Sequence, residues 1–272
     1  MADEWFRRIL LFNQRSEIRR GDDEELGSDA NISAEFELLL FSIGVHVRPF
    51  RCSGFLGTNY AWCSDWDAYV TDPTVPVLYL DAHYDVVWKD MIKPFRLPET
   101  DIVVASCHDN RASCNVLCKA IEDEILSSRE DCIVYALFSD GEERGMLCFR
   151  EWYARARTPH EKERYLVMDV TDCPSCENFP GRGVYRFDQD PIEKYADCEE
   201  PLRQQIAAHR EPYPGGLCYT HAGVLYNKFG CAASRLGIPV GGSLHESHTE
   251  LSLADLDGYY RKLCRIAKTV DF

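Results

Sequence analysis

The sequence predicts a layered α/β domain, in which helices cover both faces of a mostly parallel, mixed central sheet to give three α/β/α layers. Three observations predict it. Apolar, β-rich runs alternate with amphipathic helical stretches, the order that builds parallel sheets. The run Cys132 to Phe138 is apolar throughout, as a strand buried on both faces must be. Several such runs stop at a residue able to bind a cation, and sites in these sheets gather outside the carboxyl ends of strands.

Taken in order, residues 4–14 read as a helix with Trp5, Phe6, Ile9, Leu10 and Leu11 along its apolar stripe. Asn13 to Asp29 is a polar loop, and Ile32 to Ile43 is a second helix with Gly44 just past its end. His46 to Arg51 alternates like a strand, 57–63 supplies a partner, and Asp65 to Asp72 reads as a turn. Pro73 and Pro76 bracket the entry to a buried strand that ends in Leu80-Asp81-Ala82-His83-Tyr84-Asp85. Residues 86–101 form a long loop holding Trp88, Pro94, Phe95 and Pro98, which reads equally as a functional rim loop or a packed surface loop. After the short apolar segment Ile102 to Ala105, His108-Asp109-Asn110 opens a helix, where Asp109 or Asn110 also suits simple N-capping. The strand Cys132 to Phe138 ends at Ser139-Asp140-Gly141-Glu142-Glu143, and Met146 to Ala156 is a helix. Tyr165 to Met168 is a strand ending at Asp169, and Val184 to Phe187 another. Leu202 to His209 and Ala222 to Phe229 are helical, Ile238 to Val240 is a short strand before His245, and Leu256 to Val270 is a closing amphipathic helix.

With 272 residues and a 45% hydrophobic share, the chain suits a single domain spanning 1–272. A formal net charge of -15 excludes general affinity for nucleic acid or anionic membrane. No stretch reaches the roughly 18 apolar residues of a membrane span, and the acidic opening Met1 to Trp5 is no signal peptide. The 13 cysteines are odd in number, irregularly spaced and mostly in apolar runs, so they read as small buried hydrophobes in a reducing, cytoplasmic compartment. Cys173-Pro174-Ser175-Cys176 lacks the second pair that a zinc knuckle needs.

His83 and Asp85 stand two apart, so on an extended chain they point the same way: one can bind metal while the other steadies it. Asp109, Glu142, Glu143, Asp169 and His245 each lie at or just beyond an apolar run. Imidazole nitrogens and carboxylate oxygens are the ligands of hydrolytic zinc. Two ions a few ångströms apart need a carboxylate between them, and Asp109 is the natural bridge by its place between the His83 and Glu143 arms. The pattern reads as a metallohydrolase site for two metal ions.

The motifs Ala82-His83-Tyr84-Asp85, His108-Asp109-Asn110-Arg111-Ala112, Asp140-Gly141-Glu142-Glu143-Arg144-Gly145, Met168-Asp169-Val170-Thr171 and Ile238-Pro239 through His245 to Glu250 occur in this order. Through them the chain resembles the co-catalytic dinuclear zinc exopeptidases over residues 40–265, with wording most similar to the glutamyl-aminopeptidase-like branch. The resemblance implies a zinc-exopeptidase fold and two divalent ions, zinc with cobalt or manganese as alternatives. It implies that His83 and Asp169 hold one ion, His245 and Glu143 the other, and that Asp109 bridges them. Glu142 would be the general base, and Asp85 would hydrogen-bond His83. His248 competes with His245 as the last ligand; His245 is favoured because it follows the short strand directly. Two features depart from the branch. Only some two dozen residues separate Asp85 from Asp109, where relatives carry a large insertion, which implies a bare catalytic domain and speaks against a dodecameric cage. In Leu217-Cys218-Tyr219-Thr220-His221-Ala222, His221 replaces an aspartate, making it a candidate substrate contact or a capped surface histidine. The expected activity is aminopeptidase action on peptides, with a homo-oligomer as one outcome. The alternatives are a carboxypeptidase or N-acyl amino acid deacylase of the same fold, or a non-catalytic homologue.

Overall fold

The computed structural model describes residues 1–14, 28–53, 57–86, 92–106, 108–143, 146–155, 161–172, 221, 225, 233–241, 248–270 and 272. The expected elements at 184–187 and 202–209, nearly all of the helix at 222–229, the Cys173/Cys176 pair and His245 lie outside the described residues.

The chain opens with α1 (Ala2–Gln14), which buries Trp5, Ile9 and Phe12 at the i, i+4, i+7 spacing of one helix face. It continues through α2 (Ser28–Ser42), β1 (Arg48–Arg51) and β2 (Thr58–Cys63). Asp65 to Asp72, expected to be a turn, contains α3 (Trp66–Thr71) instead. The Asp65 carboxylate caps it by accepting from Ala68 N at 2.9 Å, and the Asp and Pro content around it masked the helix. Next come β3 (Val77–His83), β4 (Phe95–Arg96), β5 (Ile102–Ala105), α4 (His108–Glu122), β6 (Ile133–Ser139), α5 (Leu147–Arg155) and β7 (Glu163–Asp172). The described chain closes with β8 (Ala233–Val240), β9 (Thr249–Ser252) and α6 (Leu253–Thr269).

Among the described residues, the central sheet has six strands in the order β1-β2-β6-β3-β7-β8. β6, β3, β7 and β8 run parallel, and β1 and β2 add an antiparallel edge. Leu78, Leu80 and Ala82 of β3 share one core with residues of α1, α2, α4 and α6, while Val77 and Tyr79 share the other with Phe149, Trp152 and Tyr153 of α5. The sheet is therefore the middle of three layers. A second sheet, β4-β5-β9, is antiparallel, with Phe95 opposite Val104 and Ile102 opposite Ser252. Part of the expected rim loop at 86–101 is thus paired strand, although Phe95 stays exposed. No helix among the described residues is long and apolar enough to cross a membrane.

The strand order places the site. From β3 the chain adds β6 on one side and then returns to add β7 on the other. That reversal opens a crevice beyond the carboxyl end of β3.

Candidate metal centre

His83 is the last residue of β3 and lies in register with Ser139, the last of β6. Beyond Ser139 the chain turns through Asp140 and Gly141, and Gly141 has φ +72, a conformation that favours glycine. Glu142 and Glu143 follow at once. Their backbone N–H groups donate to the Asp85 carboxylate, Glu142 N to Oδ1 at 3.3 Å and Glu143 N to Oδ2 at 3.1 Å. Below the turn, Asp140 Oδ2 accepts from Thr58 N at 3.2 Å and Ser33 Oγ at 3.2 Å, and lies 3.0 Å from Tyr84 Oη. Asp140 N donates to Asn59 Oδ1 at 2.9 Å. A Cβ at Gly57 would overlap Asp140 Oδ2, so that close approach needs glycine. The turn carrying both glutamates is therefore pinned from above by Asp85 and from below by Asp140.

Asp109 arrives by a different route. The first residues of α4 are not helical: Asp109 has φ -87 and ψ 108, and the Asp109-Asn110 peptide is cis. Asn110 Nδ2 donates to Met168 O at 2.7 Å, tying the head of α4 to β7 beside Asp169. Arg111 is buried just below, donating Nε to Tyr84 O at 2.9 Å and Nη1 to Phe12 O at 3.2 Å, with its guanidinium over the Phe36 ring. β7 does not end at Asp169 as expected. It continues to Asp172 because β8 pairs with it as far as Val240.

These elements converge on one imidazole. His83 Nε2 lies 3.3 Å from Asp109 Oδ1 and 3.6 Å from Asp169 Oδ1. His83 Nδ1 lies 3.3 Å from Asp85 Oδ1 and 3.2 Å from the Asp85 carbonyl. The possible ligand atoms of His83, Asp109 and Asp169 all fall within 4.8 Å of one another, and so do those of His83, Glu142 and Glu143. These two clusters have the donor types and spacing of a dinuclear metal site.

The electrostatics support a cation. Both oxygens of Asp85 near Nδ1 are acceptors, so Nδ1 carries hydrogen and, in the neutral ring, Nε2 presents its lone pair. That lone pair faces two carboxylate oxygens, an arrangement that is repulsive unless a proton or a metal ion stands between them. Burial alone would lower the His83 pKa, but the hydrogen bonds to Asp109, Asp169 and Asp85 outweigh it and hold the ring well above its ordinary value. Burial pushes Glu142 up to about 9, with Asp169, Glu143 and Asp85 adding to the rise and His83 opposing it. Five carboxylates around one imidazole are short of positive charge, and divalent ions would supply it.

His221 is buried, not on the surface. Its Nδ1 bonds Asp81 Oδ2, and its ring stacks on Phe149 with centroids 4.0 Å apart. Ser139 Oγ donates to the other Asp81 oxygen at 2.8 Å. The sequence reading missed this pairing. Its signal was Asp81 itself, a charge inside a fully buried strand that must find a partner. The supports Ser33, Thr58, Asn59 and Tyr84 were also missed, and as single polar residues in apolar surroundings they carry no spacing signal. His248 is exposed at the head of β9, beside Thr249, which pairs with Ala105 in the second sheet. His108 is buried, its Nε2 on Val103 O at 3.2 Å.

No family profile matches the sequence, and no curated protein matches it. Solved structures do match. Aminopeptidase APDkam598 from the archaeon Desulfurococcus kamchatkensis superposes with a TM-score of 0.67 over 99% of this chain and 96% of that chain, at 12% identity. A TET aminopeptidase from the marine sediment archaeon Thaumarchaeota archaeon SCGC AB-539-E09 gives 0.68 over 98% of each chain, also at 12% identity. The chain shares the fold of these two aminopeptidase structures. The Pyrococcus horikoshii TET1 peptidase gives 0.63 over 96% of this chain and 99% of that chain at 14% identity, and that peptidase can assemble into a tetrahedron or a large octahedral shell. At such identities the likeness is one of fold alone, and the chemistry rests on the residues.

Proposed function

We propose that this chain is a metal-dependent aminopeptidase that releases amino-terminal residues from peptides in the cytoplasm. The observation that carries the proposal is His83 Nε2 facing Asp109 and Asp169, with Glu142 and Glu143 within reach of the same ring. His83 and Asp169 would hold one divalent ion, Glu143 and His245 the other, and Asp109 both, with zinc the first choice and cobalt or manganese as alternatives. Bound there, such ions supply Lewis acidity toward water and the scissile carbonyl.

The chain's own groups do the rest. Asp85 keeps the hydrogen on His83 Nδ1 and so keeps the Nε2 lone pair aimed at the carboxylates. Glu142, on a turn pinned at its backbone, takes a proton from the attacking water and returns it to the departing amine. Among the described residues, the carboxyl groups gathered around His83 are Asp85, Asp109, Glu142, Glu143 and Asp169. Such a lining suits a protonated amino terminus, whereas a carboxypeptidase or deacylase needs a cation for the free carboxylate. Hydrolysis rates on matched amino-free and amino-blocked peptides separate these readings, and preference for the blocked form overturns the aminopeptidase. The buried free thiols suit a reducing compartment. The assembly of the Pyrococcus relative makes a homo-oligomer the expected quaternary state, with the short Asp85-to-Asp109 connection arguing against a closed cage.

Replacing Glu142 by Gln tests the base. Turnover is expected to fall by about 10²–10⁴-fold with the metal content unchanged. Loss of metal together with activity would make Glu142 a ligand instead.

A further inference from the structure

We infer that Cys52 and Cys148 form a thiol–disulfide site that closes when the chain meets an oxidised low-molecular-weight disulfide of the glutathione class. The two residues stand on opposite sides of a seam. Cys52 follows the end of β1, and Cys148 lies in the first turn of α5. Both are buried as free thiols, and the two side chains are neighbours.

The backbone holds the pair in place. Cys52 N donates to Gly57 O at 3.3 Å, and a Cβ built on Gly57 would lie 3.2 Å from Cys148 Sγ. Asn59 Nδ2 donates to Cys148 O at 3.1 Å. The β1–β2 corner is thus stitched to α5 on both sides of the sulfurs. Cys52 is the less buried of the two, 6% exposed against 1% for Cys148, and its neighbour Ser53 is exposed and donates its N–H to Glu151 Oε2 at 2.7 Å. The contrasting pair is Cys114 and Cys118. These are one helical turn apart on α4 and fully buried, so the helix fixes their separation and no reagent reaches them.

The steps balance. Cys52 stands next to the exposed Ser53, so the first attack falls to Cys52. Its thiolate displaces one thiolate from the small disulfide and leaves a mixed disulfide on Cys52. Cys148 sulfur then attacks the Cys52 sulfur, expels the second thiolate and gives up its proton to it. Two protein thiols are oxidised, and one small disulfide is reduced to two thiols. Closure draws the sulfurs to about 2.05 Å. Cys148 Sγ lies 3.7 Å from where a Cβ of Gly141 would stand, so the clip bears on the turn that carries Glu142.

The test uses the full-length protein in glutathione buffers from fully reduced to fully oxidised, quenched with acid, alkylated and mapped by peptide mass spectrometry. The expected result is a Cys52–Cys148 cross-linked peptide that grows with the oxidised fraction and vanishes on adding dithiothreitol. In Cys148→Ser, Cys52 is expected to keep a glutathione adduct, and in Cys52→Ser, Cys148 is expected to remain a free thiol. Both cysteines fully alkylated in the most oxidising buffer, or Cys52 joined to a different cysteine, overturns the assignment. The readout is covalent and independent of any peptidase activity.

Discussion

Asp85 serves two neighbours with one carboxylate. It orients the His83 ring through Nδ1, and it accepts the backbone N–H groups of Glu142 and Glu143. Replacing it by Ala removes both functions together. Metal affinity, followed by titration calorimetry, is expected to fall about 10–100-fold. The two freed N–H groups are each expected to cost about 1–3 kcal/mol in urea unfolding. Unchanged affinity would show that the ring is held by packing alone. His108 gives a prediction in pH. Burial lowers its pKa from 6.5 to about 4, so the folded ring stays neutral where the unfolded one already takes a proton. Between those values the unfolded state binds more protons, and stability falls as pH drops from about 6.5 toward about 4. The loss is about 3 kcal/mol in all, at ~1.4 kcal/mol per pH unit. Urea midpoints of chelator-treated protein across this range should show the slope in the wild type and a reduced one in His108→Gln. A flat wild-type profile would remove His108 from the account.

At the level of elements, β3 and β6 are each buried at all seven residues, and β6 and β7 flank β3. Leu80→Ala is expected to destabilise the fold by about 2–5 kcal/mol in denaturant titration. A value under about 1 kcal/mol would mean that the neighbouring layers collapse onto the gap. The strands that could be read from the sequence were those, like β6, whose every residue is apolar or nearly so. Where pairing overrides composition, the reading stopped short. Thr171 and Asp172 belong to β7 only because Pro239 and Val240 lie beside them. Thr249 to Ser252 became β9 by pairing with β5, although its residues are short and mixed and a helix begins at Leu253. The reach of α3 back to Asp65 was hidden by turn-forming residues on both sides.

The whole molecule is needed to make the centre. His83, Asp109, Glu142 and Asp169 come from four separate parts of the chain, and the unfolded chain has no such cluster. A divalent ion should therefore bind the folded state alone. With zinc at about 100 times its dissociation constant, stabilisation is expected near 2.7 kcal/mol. That corresponds to a rise of about 5–10 °C in the thermal midpoint, read by calorimetry against chelator-treated protein. An unchanged midpoint on adding zinc, cobalt or manganese would remove the metal from the folded state. The acidic and imidazole residues were legible as a set, because each stands at the end of an apolar run. Their supports were not. Tyr84, Ser33, Thr58 and Asn59 become meaningful only when distant strands bring them under Asp140.

Arg111 extends this dependence to the amino terminus. One of its nitrogens holds the carbonyl between His83 and Asp85, and another grips a carbonyl near the end of α1. The opening helix is therefore a doorstop for chemistry it never touches. An engineer who trims those first residues to reach a minimal core strands a buried guanidinium, and the disturbance surfaces some seventy positions downstream.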